Sequence, residues 1–287
     1  MNTFRQSGVD YTAALRSHAG WLIAIGGFVA MYLPLYWGAA QGIWQTDDHG
    51  HGPIILAVLV WLFWSLRGDI DGLAVKPSTV LGWMILSVGL LAYFFGRVFG
   101  IQVLEFGSQP LVVAGALTLM KGPAIFRIAW FPLLYFLFMI PLPSSLVDTI
   151  TGSLKGVIAN IVESLLYLSG YPIARSGVIL SIGPYQLQVA DACSGLHSMF
   201  SLSALGTLFM HMMGKKTKIH SAVMLAAIVP IAFIANIVRV ITLVMVTYYL
   251  GDEAGQGFLH GAAGMVLMLV ALMFFFLLDK SLDRIKG

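Results

Sequence analysis

Residues 219–250 read IHSAVMLAAIVPIAFIANIVRVITLVMVTYYL, a run of thirty-two in which Arg239 is the only residue with a fixed charge. Roughly 20 consecutive apolar residues suffice for a helix to cross a bilayer, so this stretch by itself predicts a spanning helix. Working outward, seven further apolar stretches surround it: Gly20–Ala39, Pro53–Leu66, Thr79–Phe99, Ile101–Met120, Ile125–Ile140, Leu196–Met213 and Phe258–Leu278. The second is short for a span, and only Gly96, Arg97 and Gly100 separate the third from the fourth. The expected fold is an all-α polytopic bundle of about eight transmembrane helices, a single integral-membrane domain over residues 1–287.

Composition agrees. The 287 residues are 59% hydrophobic and 10% charged, with a mean hydropathy of +0.88. Soluble domains carry roughly 25% charged residues, which excludes a water-soluble globule and a disordered chain. The 31 glycines show no collagen period. A net charge of +3 without a basic patch interleaved with aromatics excludes a nucleic-acid partner; lipid is the surrounding partner.

Lys and Arg set the orientation, because cytoplasmic loops carry their excess. With the N-terminus inside, the inner segments hold Arg5, Arg16, Arg67, Lys76, Lys121, Arg127, Lys215, Lys216, Lys218, Lys280, Arg284 and Lys286. The outer segments hold only Arg97, Lys155 and Arg175. Twelve against three predicts cytoplasmic termini, with Met1–Ser17 a cytoplasmic segment that leads into a retained first span.

The interval Pro141–Ala192 is then the one sizeable extracytoplasmic segment. Ser145-Leu-Val-Asp148 has the spacing of a capping box. Leu154, Val157, Ile158, Ile161, Leu165 and Leu168 follow at helical spacing, which fits an amphipathic helix on the membrane or a further buried one. Gly177–Ile182 and Tyr185–Ala190 flank Gly183-Pro184, and the second run alternates as a half-buried strand does. A short β-hairpin would deliver the chain to Asp191-Ala192-Cys193.

Cys193 is the only cysteine and cannot form an internal disulfide. It precedes the helix starting near Gly195, whose N-terminal amides favour a thiolate; the plain alternative is a small apolar residue packed at a helix end. Arg239 lies inside a span, where insertion scales put the cost of a cation at about 2.5–3.5 kcal/mol. Counting from Lys218 sets it about 31 Å up at helical rise, whereas counting back from Tyr248-Tyr249 as an aromatic belt sets it about 14 Å down. The alternative is a snorkelling arginine paired with a carboxylate. Asn236, one turn earlier on the same face, can hold the guanidinium.

His260 opens the last expected span after the acidic turn Asp252-Glu253, with Gly264 one turn further on. An imidazole there can carry protons near neutral pH, or simply be solvated. His49 and His51 in the first outer loop offer too few ligands for zinc, which wants three or four; no metal is expected there, and assistance to the outer site is the better reading. His197, one turn past Cys193, can tune the thiol. His211 and His220 are read as interfacial, and the Met-rich runs as helix packing. A thiol nucleophile, a proton carrier and a cation are the parts that acyl transfer needs.

Ala192-Cys193-Ser194-Gly195-Leu196 opening one span, Asn236-Ile-Val-Arg239 within the next and His260-Gly-Ala-Ala-Gly264 opening the last resemble the exosortase/archaeosortase family, most closely its exosortase B branch. The His-Gly element after the first span resembles the family's N-terminal region. The resemblance implies a membrane-embedded cysteine transpeptidase without a cofactor. Its substrates would be exported proteins with a C-terminal Pro-Glu-Pro-type motif, a transmembrane helix and a basic tail. Cys193 would be the nucleophile, Arg239 the oxyanion stabiliser and His260 the proton donor and acceptor. Ser194, Asp191, Asn236, His197, His49 and His51 would support the site or contact substrate. Many members have Arg where this chain has His197, which leaves that position's role open, and no soluble domain is expected after the last span. A transporter or proton-conducting channel, or a non-catalytic assembly factor holding client helices, fits the composition too. The first five spans, however, carry almost no polar residues at mid-depth, as a transporter would need.

Overall fold

The computed structural model describes residues 11–46, 50–74, 76–141, 144–188, 195–214 and 218–285. Among these, side chains 11–18, 144–153, 195–199, 218, 258–261, 263 and 285 are left aside. The chain is almost entirely helical, with one small sheet. Each of the eight expected apolar stretches is helical, the last, Phe258–Leu278, being divided between two helices. Five helices are long and apolar enough to cross a membrane, covering Ala19–Gln45, Thr79–Phe99, Gln102–Lys121, Ile219–Leu250 and Gly264–Arg284. Three apolar stretches are shorter, Gly52–Ser65, Ile125–Met139 and Phe200–Met212. This is a polytopic membrane protein of the all-α class. Its described residues form two units, residues 1–43 with 53–140, and residues 44–52 with 141–287.

The first unit comprises α1 (Tyr11–Gln41), α2 (Gly52–Ser65, its first residue excepted), α3 (Arg67–Gly72), α4 (Thr79–Phe99), α5 (Gln102–Lys121) and α6 (Ile125–Tyr135). The narrow boundary between α4 and α5 holds because Gly100 adopts φ +67°, the left-handed conformation that ends a helix. The hairpin then closes on glycine. A Cβ at Gly89 would stand 2.9 Å from the Val112 backbone nitrogen, and one at Gly96 only 2.7 Å from that of Glu105. Small residues permit such approach between membrane helices, where packing replaces the hydrophobic effect as the driving force.

The expectation that the first five spans lack polar groups fails in α5. Glu105, Ser108, Gln109 and Thr118 are all buried. The Tyr32 hydroxyl lies 2.6 Å from Ser108 Oγ, the Tyr36 hydroxyl donates to Gln109 Oε1 at 3.0 Å, and Glu105 sits 3.5 Å from Arg97. The apolar average of the run hides these groups; tyrosines of α1 meet Ser108 and Gln109 Oε1, Arg97 of α4 meets Glu105, and Thr118 bonds back to Ala114 O. They fasten helices to one another instead of lining a path.

The second unit holds α7 (Ser144–Leu168), β1 (Ile173–Ser176), β2 (Ile179–Ile182), β3 (Tyr185–Gln188), α8 (Gly195–Met212), α9 (Lys218–Leu250), α10 (Asp252–Gly261) and α11 (Ala263–Ile285). The expected hairpin is two strands of a three-stranded antiparallel sheet in the order β1-β2-β3. Both connections are two-residue loops, closed by Ser176↔Ile179 and Ile182↔Tyr185. Gly177 (φ +64°) and Gly183 (φ +54°) take the first central position of each, where a hairpin turn of the II′ kind demands positive φ. One face of α7 (Ile158, Ala159, Val162 and Leu166) is buried with Leu180 and Ile182 of the sheet and Val240 and Val244 of α9. Each fully buried aliphatic side chain there contributes about 1.5–3 kcal/mol. The helix therefore supports the sheet with its apolar face.

Candidate active site

Arg239 and Asn236 sit one turn apart on α9, where two apolar clusters meet. Ile228, Ile231, Ala232 and Ala235 pack with α8 and α11, while Val240 and Val244 pack with α7 and the sheet. Arg239 is 7% exposed and Asn236 fully buried. Neither the amide nitrogen nor the oxygen of Asn236 has a hydrogen-bond partner among the described residues. A buried amide in that state keeps its full bonding capacity for a neighbour or a guest.

The sheet bears on where α9 meets water. A small open sheet cannot lie in hydrocarbon, where its edge groups would be unsatisfied. It packs against Val240, Val244 and Tyr248, so α9 leaves the lipid near Arg239. The nineteen residues from His220 to Arg239 rise about 28 Å, close to the thickness of a hydrocarbon core of about 30 Å. Tyr248 stands edge-on to Tyr171 at 5.7 Å and packs partly buried against the sheet, whereas Tyr249 is exposed.

Helix register relates α8, α10 and α11 to α9. Gly206 of α8 lies against Ile228 and Phe275; a Cβ there would stand 3.1 Å from Ile228 Cγ1. Four positions on in each helix, Leu202 and Ala232 share the same buried cluster. Continuing this antiparallel register, Gly195, the first residue of α8, comes level with Arg239. Likewise Asp279 of α11 meets His220 of α9 at 2.8 Å. Twelve positions on (279 to 267, 220 to 232), Leu267 and Ala232 share the cluster. The same register brings the start of α11, Ala263, level with Asn236. From the far end, Gly255 of α10 lies against Thr247 of α9, which sets His260 level with Thr242. Thr242 is three residues beyond Arg239, about 4.5 Å of helix.

His260 itself lies in the last turn of α10 and does not begin the last span. Helix α10 starts at Asp252 and ends at Gly261, and α11 starts at Ala263. Asp252 and Glu253 in its first turn complement the helix dipole and stabilise this separate short helix. His260 and Gly264 therefore belong to different helices. Cys193, Ser194, Asp191 and His49 lie outside the described residues, as do the side chains of His197 and His260. His51 is half-buried, next to Gly52, against which the Trp44 indole is packed.

Sequence reasoning did not foresee that His220 is buried, at 3% exposed. Its Nε2 pairs with Asp279 and its Nδ1 lies 3.7 Å from Asp283. The signal was present as two aspartates four apart on the last helix. Among the described residues this is the group that gathers as metal ligands do, with donor atoms within 4.8 Å of one another. It stands at the opposite end of α9 from Arg239.

A family model described as transmembrane exosortase (Exosortase_EpsH) matches residues 43–277, everything but the first 42 and the last ten. The chain belongs to the transmembrane exosortase family. The exosortase match takes in the Trp44–Gly52 segment, the sheet, Arg239 and the helices that carry the start of α8 and His260. No curated protein and no solved structure matches the chain.

Proposed function

We propose that this exosortase-family protein is a cysteine transpeptidase of the bacterial inner membrane. It would cleave a C-terminal Pro-Glu-Pro-type sorting signal of exported proteins at the periplasmic face, in the manner of the exosortase B branch. What supports the reading is the α8–α9 register, which sets Gly195, two residues after Cys193 in the chain, level with Arg239, with His260 on α10 about three residues along α9 from that level. The charge bias puts this level outside, with both termini inside.

In this mechanism the Cys193 thiolate attacks the scissile carbonyl carbon. A carbon–sulfur bond forms, and the carbonyl electron pair moves to oxygen. Arg239 donates to that oxyanion, with the Asn236 amide one turn away. Collapse breaks the carbon–nitrogen bond as His260 gives a proton to the departing amine. An acceptor amine, or water, loses its proton to His260, attacks the thioacyl carbon and releases the thiolate. Removing a donor to an oxyanion costs about 10²–10³ in rate.

The test is a tagged client expressed with Cys193→Ala and Cys193→Ser. Loss of processing in both, with a client fragment trapped on wild-type Cys193 and read by mass, is the expected result. Full processing by both variants overturns the reading, and client binding without cleavage by the wild type would mark an assembly factor.

A further inference from the structure

The two edges of the sheet are treated differently. In an antiparallel pair closed by a two-residue loop, the closing residues exchange both backbone hydrogen bonds, and every second pair does the same. Ile182↔Tyr185 and Leu180↔Leu187 are therefore the bonded pairs between β2 and β3, and Ser176↔Ile179 and Ala174↔Ser181 those between β1 and β2. The outer edge of β1 is guarded. Arg175, whose backbone faces that edge, is held by α7 through Glu163, with Arg175 Nε donating to Oε2 at 3.0 Å. On β3, the N–H and C=O groups of Gln186 and Gln188 face away from β2, and both residues are exposed. Among the described residues no backbone or side-chain group pairs with them. Natural proteins cover or charge such edges, since a row of free donors and acceptors is a template for another strand. Here the open edge carries two neutral glutamines and leads directly into Cys193, five residues beyond Gln188.

We propose that the edge of β3 is the docking strand for the client. An extended segment of the exported protein, joining its folded part to its transmembrane helix, adds to the sheet beside Gln186 and Gln188. Main-chain bonds give affinity in this mode and side chains on alternate positions give selectivity. This rests on the transpeptidase reading, because it is the nucleophile at Cys193 that gives the bound segment a purpose. Five residues span at most about 17 Å, so a segment paired with β3 has its peptide bonds within reach of the thiol. The sheet also supplies what a membrane enzyme needs at this point: a surface above the lipid where an extended, polar backbone can be satisfied.

The test uses the full-length protein in native membranes and an exported reporter domain fused to a C-terminal sorting signal. In a Cys193→Ala background, a photoreactive p-benzoylphenylalanine replaces Gln186, Gln188 or, on the guarded edge, Arg175. Capture of the reporter from 186 or 188, at least about fivefold above capture from 175, is expected. No capture above that at 175 overturns the docking proposal whatever the processing assay reads. Capture from 188 without processing by the wild type overturns the transpeptidase reading alone. In the active protein, Gln188→Pro removes an outward donor and leaves the bonds to β2 intact. Processing should fall by about tenfold, the upper end for one hydrogen bond, whereas Gln188→Ala, which keeps the donor, should lose less than about threefold. Equal processing by Gln188→Pro and the wild type, with capture lost, would sink the idea a second way.

Discussion

Gly206 lies so close beneath Phe275 that a methyl group at 206 would stand 2.6 Å from the ring's Cζ. This contact locks α8 against α11, while the contact of the same glycine with Ile228 sets the α8–α9 register that brings Gly195 level with Arg239. Gly206→Leu overpacks the seam, and overpacking of this kind costs about 1–3 kcal/mol. Heating the detergent-solubilised protein and following its monodisperse fraction should show a lower midpoint for Gly206→Leu. An unchanged midpoint would mean that the seam yields freely.

The His220–Asp279 pair offers a sharper contrast. Asp279 is nearly buried and 2.8 Å from Nε2, whereas Asp283 is half exposed and 3.7 Å from Nδ1. Leaving a buried polar group short of a partner costs about 1–3 kcal/mol, while an exposed ion pair is worth about 0–1. Asp279→Ala should therefore destabilise the protein clearly more than Asp283→Ala in the same thermal assay. Equal effects would count against the burial argument.

Gly255 tests the placement of His260. Any Cβ at 255 meets the Thr247 side chain, so Gly255→Ala should push α10 away from α9 and lower client processing. Thr247→Ala removes the hydroxyl in the way and should restore part of that loss in the double variant. Purely additive losses would show that the two positions do not touch in the working protein.

Because Cys193 is the only cysteine, orientation can be read from one thiol. A membrane-impermeant maleimide should label it in intact spheroplasts, and Cys193→Ala should abolish the signal. Labelling that requires lysis would reverse the charge-based topology.

Much of this fold is legible in the chain, and the misses share a physical cause. Apolar runs mark helices well, and Gly100 ends α4 where the narrow boundary between Gly96 and Gly100 falls. The Gly183-Pro184 turn announces β2 and β3. Strand β1, Ile-Ala-Arg-Ser, is four residues long with a single buried side chain, too little alternation to register. The break at Ala262 is invisible inside an apolar run. Ser108, Gln109 and His220 are polar groups whose partners lie 59 to 76 residues away, and no local pattern carries that information. Arg239 is legible for the opposite reason, since a cation inside an apolar run is conspicuous by itself.

Gly82, Gly89 and Gly96 recur every seventh residue along α4, and all three are buried. A seven-residue repeat keeps one stripe of a helix turned toward its neighbour over its full length. The seam between α4 and α5 is therefore too thin to admit even an acyl chain, and lipid cannot wedge this hairpin apart.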